Sequence, residues 1–249
     1  KISGLIFIIL AITGGLIFYL FYDDELNYKS NEISWAQLKS FIEKNKRIVS
    51  FSYITFFNLL ANNFTANLFI IFVSEYLGLT EYAGYLLILY FLITLISTPF
   101  WYLYGRKFSN MFLLQFGTSL TIFGFLFVIF TNSNSWQIYL FVILITGIGI
   151  GIDLIIPQIE LADILDRNND NRLSQIFTSL FSIIKKAAIG IAAGIALTGY
   201  GYLQSINFSL HPNIPNIMIF YFFIPLIIKL FVLLLVMRYR SKFHASIRE

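Results

Sequence analysis

The chain has 249 residues, 58% of them hydrophobic and only 12% charged, with a formal net charge of +4. Soluble domains carry about 25% charged residues, so half of the usual solvating surface is missing and the chain reads as an integral membrane protein. Cysteine is absent, which excludes disulfides, thiol chemistry and cysteine-based metal sites. The two histidines, His211 and His244, fall in an expected loop and in the tail, so no metal centre, catalytic group or resident cofactor is expected, and no nucleic-acid partner.

A spanning helix needs about 20 apolar residues, and seven segments qualify: 2–22, 48–73, 82–104, 110–131, 136–161, 174–203 and 216–238. They are too long and continuous for β-barrel strands, and the expected fold is all-α and polytopic. The first segment begins directly after Lys1 and has no small-residue cleavage site behind it. It reads as a spanning helix and not as a signal peptide, in a chain that starts partway through a larger protein. The connection 23–47 contains ISWAQLKSFIEKNKR. Ile33, Leu38, Phe41 and Ile42 share one face of a short helix lying on the membrane surface, or the segment is a solvated linker.

The second segment contains FFNLLANNFTANLF. Asn58, Asn62 and Thr65 fall at i, i+4 and i+7, on one helical face. Their amides and hydroxyl suit a polyhydroxylated ligand, or else interhelical hydrogen bonds; Asn63 and Asn67 point elsewhere and read as packing residues. The third segment ends with Trp101, Tyr102 and Tyr104, an interfacial aromatic belt, followed by Arg106 and Lys107. Trp136 and Tyr139 mark the opposite interface at the start of the fifth.

That fifth segment runs into GIGIGIDLIIPQIELADILDRNNDNR. No strand precedes its glycines and there is no GxGxxG, so this is not a nucleotide loop. Gly147 and Gly151, like Gly190 and Gly194 in the next segment, form GxxxG pairs that let helices approach closely. Pro157 and Pro225 each remove a backbone donor and are expected to kink their helices. No internal repeat is visible in the sequence.

Lysine and arginine set the orientation. Thirteen lie in 23–47, after the third and fifth segments and after the seventh; the loops 74–81, 132–135 and 204–215 have none. By the positive-inside rule the basic regions face the cytoplasm, including the linker and the tail, 239–249. Asp153, Lys185, Lys186 and Lys229 lie deep within spans. Each costs on the order of 2.5–3.5 kcal/mol to insert. At about 1.5 Å per residue, Asp153 sits roughly 15 Å from Asp163, Lys185 roughly 20 Å from Arg172 and Lys229 about 13 Å from Arg238. All three therefore reach the middle of a hydrocarbon layer about 30 Å thick. Asp153 is expected to pair with Lys185 or Lys186, either around a polar cavity or as a static tie between helices, while Lys229 joins them or snorkels toward the cytoplasm. Glu160 and Asp163 are expected near the interface in solvated roles. Arg106, Lys107, Asp163, Asp166 and Arg172 form a candidate cytoplasmic gate, or simply mark topology.

One span, a cytoplasmic linker and six further spans correspond to the second half of a twelve-helix carrier plus the helix before it. WAQLKSFIEKNKR, with Asn45-Lys46, PFWYLYGRKFSN, with Pro99, Trp101 and Arg106, IIPQIELADILDRNNDNR, with Asp163, Asp166 and Arg172, and SIIKKAAIGIAAGIALTGYGYL occur in that order. Together they resemble the glycoside–pentoside–hexuronide:cation symporter (melibiose permease-like) family of the major facilitator superfamily. The chain departs from that pattern at Ser109 and Asn110, and it lacks the glycines that usually flank the position of Arg172. The resemblance implies a carboxy-terminal six-helix bundle over 48–238, preceded by the last helix of the amino-terminal half over 1–22. It also implies a coupling cation, sodium or proton, bound mainly by the absent amino-terminal helices, and coupling through Lys185 or Lys186.

The expected function is secondary active transport, a cation-coupled symport of a sugar or other small polar solute by alternating access. The expected setting is a bacterial inner membrane, with the lipid bilayer, the solute and the missing amino-terminal helices as partners. The alternatives are a non-transporting remnant, one part of a split carrier, a lipid carrier of the same family, or a membrane-embedded enzyme using Asp153 and Glu160. The lack of a membrane histidine or cysteine counts against the enzyme.

Overall fold

The computed structural model describes residue 43 and residues 46–133, 135–166, 171–206 and 215–244. The expected helix over 2–22 and nearly all of the linker over 23–47 lie outside them. Among the described residues the chain is helical throughout, with no strand. Hydrocarbon offers no partner to a peptide group, so each apolar run must satisfy its own backbone, and a helix does so within one segment. The helices are α1 (Lys46–Ile71), α2 (Ala83–Gly105), α3 (Asn110–Leu126), α4 (Trp136–Asp166), α5 (Asn171–Ser205) and α6 (Ile224–His244). With their flanking turns, six are long and apolar enough to cross a membrane. The ends that carry Lys46, Arg47, Arg106, Lys107, Arg238 and Arg240 are called the basic end below, and the other the base-free end.

α4 packs between α2 and α3, α1 packs between α5 and α6, and a contact of α3 with α6 joins the two groups. Exchanging α1 with α4, α2 with α5 and α3 with α6 leaves this pattern of contacts unchanged. Three spans per unit also means that the second unit starts from the opposite face, so the bundle is built as an inverted repeat of three helices. Packing reveals a repeat that the sequence conceals, because the two triplets share an arrangement and not a residue pattern.

The glycines of α4 explain how it fits between two neighbours. At 3.6 residues per turn, positions i and i+4 share a face while i+2 lies nearly opposite. Gly151 faces α2, where an added Cβ would sit 2.0 Å from Ser97 Oγ; Gly149 faces α3, where it would sit 2.5 Å from Thr121 Oγ1. The other expected small-residue pair behaves differently. A Cβ at Gly190 or Gly194 would meet nothing within 4 Å. The buried stripe of α5 consists instead of Phe177, Phe181, Ala188, Ala192, Ala196 and Tyr200, and α5 packs chiefly on α1.

The base-free end is closed by aromatic residues. α1 continues as a wide π turn, Phe72–Tyr76, and α6 is preceded by another, Ile219–Phe223. The second follows from Pro225, which has no N–H to give and whose ring crowds the carbonyl four residues back. The two turns meet in a stack of Phe72 on Tyr221, with centroids 3.9 Å apart. Tyr139 is buried and its hydroxyl lies 2.7 Å from that of Tyr221, so it is not the belt residue expected from sequence. A buried tyrosine is tolerated when its hydroxyl finds such a partner. Gly78, at φ 69°, ends the span of α1, and Leu79 N–H then reaches back to Val73 O at 3.0 Å.

Gly151→Leu should therefore push α2 off α4 and cost about 1–3 kcal/mol, the usual penalty of overpacking. Gly84→Ala, at a position with nothing within 4 Å, should leave stability unchanged. Unfolding of the purified protein in detergent measures both.

Candidate functional site

α4 carries two acidic side chains on its inner face, Asp153 and Glu160, two helical turns apart. Both are buried, at 4% and 2% exposure. Each is met by a cation from another helix and by an asparagine amide, and together they form two polar tiers inside an apolar bundle.

The deeper tier centres on Asp153 and Lys229. Lys229 has 0% exposure, and its Nζ donates to Asp153 Oδ2 at 2.7 Å and to Asn58 Oδ1 at 2.7 Å. Asn62 Nδ2 donates to the same Asp153 Oδ2 at 3.1 Å. This bond fixes the amide's orientation, because the flipped rotamer would set two acceptors against each other. Asp153 Oδ1, Asn62 Oδ1 and Thr65 Oγ1 are buried and have no hydrogen-bond partner among the described residues. On the base-free side of the pair lies a small cavity lined by Asn62, Thr65, Tyr90, Thr121, Tyr139 and Tyr221, with a volume of about 20 Å3. That is room for about one water molecule. The Tyr139–Tyr221 pair separates it from the base-free end.

The structure brings Asp153, Lys229, Asn58 and Asn62 together and leaves Lys185 and Lys186 out. The expected Asp153 partner is thus corrected from α5 to α6. α5 packs chiefly on α1 and barely touches α4, so Lys185, although on the stripe's face, is half-buried 5.5 Å over the Phe181 ring, and Lys186 is exposed. α6 packs against both α1 and α3, and that position aims Lys229 inward, so it does not snorkel. Asn58 and Asn62 serve the ion pair, whereas Thr65 faces the cavity. Asn63 and Asn67 bond to the carbonyls of Leu59 and Asn63 in their own helix.

The second tier lies nearer the basic end. Glu160 Oε1 accepts from Arg47 Nη2 at 2.7 Å and from the Tyr239 hydroxyl at 2.9 Å, while Oε2 accepts from Asn110 Nδ2 at 3.1 Å. Arg47 Nε also donates to the Tyr239 hydroxyl, at 2.9 Å. Glu160 is therefore buried and saturated, contrary to the solvated role expected of it. Three partners from α1, α3 and α6 replace the water that it would lose. Arg47, expected only as a mark of topology, belongs to this tier; its place at the start of α1, level with the end of α4, is the signal in the sequence.

The candidate gate residues are not gathered into one cluster. Asp163 accepts from Asn110 at 2.8 Å, and Arg106 donates to the Tyr102 hydroxyl one turn back, at 2.7 Å. Lys107 and Asp166 are exposed, and the side chain of Arg172 lies outside the described residues.

Lys229→Met should cost about 3–5 kcal/mol, because it strands a buried carboxylate. The double variant Asp153→Asn/Lys229→Met removes both charges and should regain most of that loss. Chemical unfolding in detergent of both single variants and the double gives the coupling directly.

Residues 1–241 match the family model described as MFS/sugar transport protein. No curated protein matches the chain. A family of transporters agrees with six apolar helices of spanning length, and the molecule is an integral, multi-pass membrane protein. With 241 of its 249 residues matched, the chain belongs to the MFS/sugar transport protein family of the major facilitator superfamily.

Proposed function

We propose that the chain works in a cation-coupled symporter of the glycoside–pentoside–hexuronide type, moving a sugar or another small polar solute by alternating access. The observation that carries this reading is the buried cluster of Asp153, Lys229, Asn58 and Asn62 beside a small cavity that Asn62 and Thr65 help to line. Ionisable groups inside a span are costly and mark solute or ion pathways, and carriers of this build hold their solute near mid-membrane between two bundles. In the proposal the second bundle comes from amino-terminal helices, which also hold most of the ligands of the coupling cation. The basic end faces the cytoplasm of a bacterial inner membrane. Arg106, Lys107 and Asp166, exposed there, pair across the two bundles as an inner gate, while Lys186 on the open face of α5 reaches the solute.

A groove between α1 and α5 supports a second reading, a lipid carrier. It is lined by Tyr53, Phe56, Phe57, Phe177, Phe181 and Ile184 and has a volume of about 470 Å3, room for an acyl chain.

Proteoliposomes containing the intact gene product should take up a labelled sugar when a sodium or proton gradient is imposed. The charge-free double variant Asp153→Asn/Lys229→Met should fold yet lose about tenfold or more of that uptake, the equivalent of one charged hydrogen bond. Undiminished, fully coupled uptake by the double variant would remove the pair from the mechanism. Transfer of a fluorescent lipid without sugar uptake would favour the second reading.

A further inference from the structure

A second polar cavity lies apart from the buried ion pair, at the base-free end. Its lining includes Glu75, Tyr76, Asn132, Ser133, Tyr200 and Gln204, and its volume is about 460 Å3. Small-molecule pockets start at about 300 Å3, so a sugar ring has room here. The walls come from four parts of the chain: the π turn that ends the span of α1, the loop before α4, the end of α5 and residues 215–217.

The polar groups are held in place by contacts between these parts. Tyr200 is buried. Its hydroxyl donates to Glu75 Oε2 at 2.7 Å and accepts from Gln204 Nε2 at 2.6 Å. The Tyr76 hydroxyl donates to Thr131 O at 2.7 Å, which fixes that ring beside the carboxylate. Groups already ordered cost a ligand less to engage.

We propose that this cavity is an entry site for neutral sugars and similar uncharged polyols, and that Glu75 turns their acidic counterparts away. This rests on the reading of the chain as part of a solute carrier, and it narrows the class of solute. The chemistry of the lining selects the ligand. A carboxylate accepts from the hydroxyls of a diol, while the amides of Asn132 and Gln204 both donate and accept. The Tyr76 ring offers a flat apolar face to the C–H side of a sugar. One carboxylate among amides and hydroxyls is too few charges for a divalent cation. The surrounding charge excludes anions. Loops 74–81, 132–135 and 204–215 hold no lysine or arginine, and they carry two carboxylates, Glu75 and Glu81. A sugar acid would bring its own carboxylate beside Glu75 with no cation in those loops to offset the repulsion. With the basic end in the cytoplasm, this cavity is also the first polar site that an incoming solute meets.

Uptake by proteoliposomes of the intact gene product tests the site, with labelled glucose, galactose and xylose as substrates and glucuronate and galacturonate as competitors. Glu75→Gln should raise KM for the neutral sugar about tenfold, the equivalent of one hydrogen bond to a charged group, with little change in maximal rate. It should also let the uronates compete about tenfold more strongly. Tyr200→Phe, which releases Glu75 from its holder, should raise KM by less. Glu81→Gln, an exposed residue outside the cavity lining, should change neither quantity. Glu75→Gln with unchanged KM and unchanged refusal of uronates overturns the proposal and leaves the carrier reading intact. An equal effect of Glu81→Gln also overturns it, because surface charge and not the cavity then sets the selectivity. If no gradient drives sugar uptake, the carrier reading fails, and equilibrium dialysis of the purified protein against the same sugars decides the site alone. Retention of a neutral sugar by the wild type and its loss in Glu75→Gln upholds the site; no retention overturns it.

Discussion

A carboxylate and an ammonium can share a hydrocarbon interior only if each supplies what water would have given the other. The pair of Asp153 and Lys229, 2.7 Å apart and both buried, imposes that requirement on every helix around it. α1 must run close enough for Asn58 and Asn62 to complete the shell, α6 must pass between α1 and α3, and α4 must stay pressed against both of its neighbours. The last demand is why α4 has no side chain at positions 147, 149 and 151. Any larger residue there would open the wall around the charges and expose them to lipid, which cannot solvate them.

Much of this fold could be read directly from the sequence. Six of the expected spans coincide with observed helices, since hydropathy over about 20 residues reports a property of the bilayer and not of tertiary packing. The ends differ because helices run on past the hydrocarbon: α4 reaches Asp166 where 161 was expected, and α5 reaches Ser205 where 203 was expected. The inverted repeat was not legible. It is a relation between contacts, and two triplets with unrelated side chains can satisfy it equally well.

The site was legible in one dimension. Counting residues from the charged ends placed Asp153, Lys185 and Lys229 at similar depth, and that placement was sufficient to single out Asp153. Depth says nothing of azimuth, and azimuth decided the partner. The pattern was present, however. In α6 the positions 225, 229, 232, 236 and 239 recur at the spacing of one helical face, and Lys229 lies in the middle of that buried stripe. In α5 the corresponding stripe runs through Phe181, Ala188, Ala192 and Ala196, and Lys185 shares that face while Lys186 lies off it, so spacing alone sets aside Lys186 and not Lys185. Glu160 was misjudged for a related reason. Nearness to an interface does not ensure solvation, because three helix ends converge at that level and displace the water.

The two tiers divide the labour of the bundle. Glu160 ties α1, α3 and α6 to the end of α4 with every oxygen satisfied, so any motion there must break several charge-assisted bonds at once. Asp153 is held through one oxygen beside a water-sized cavity, so its environment can change by a single water without breaking the framework. In the proposed carrier, a bundle that rocks as a unit would be stiff where its helices are tied and free to respond at mid-membrane. The inverted repeat gives both triplets the same packing, and within it α4 carries a carboxylate where α1 offers Asn58 and Asn62.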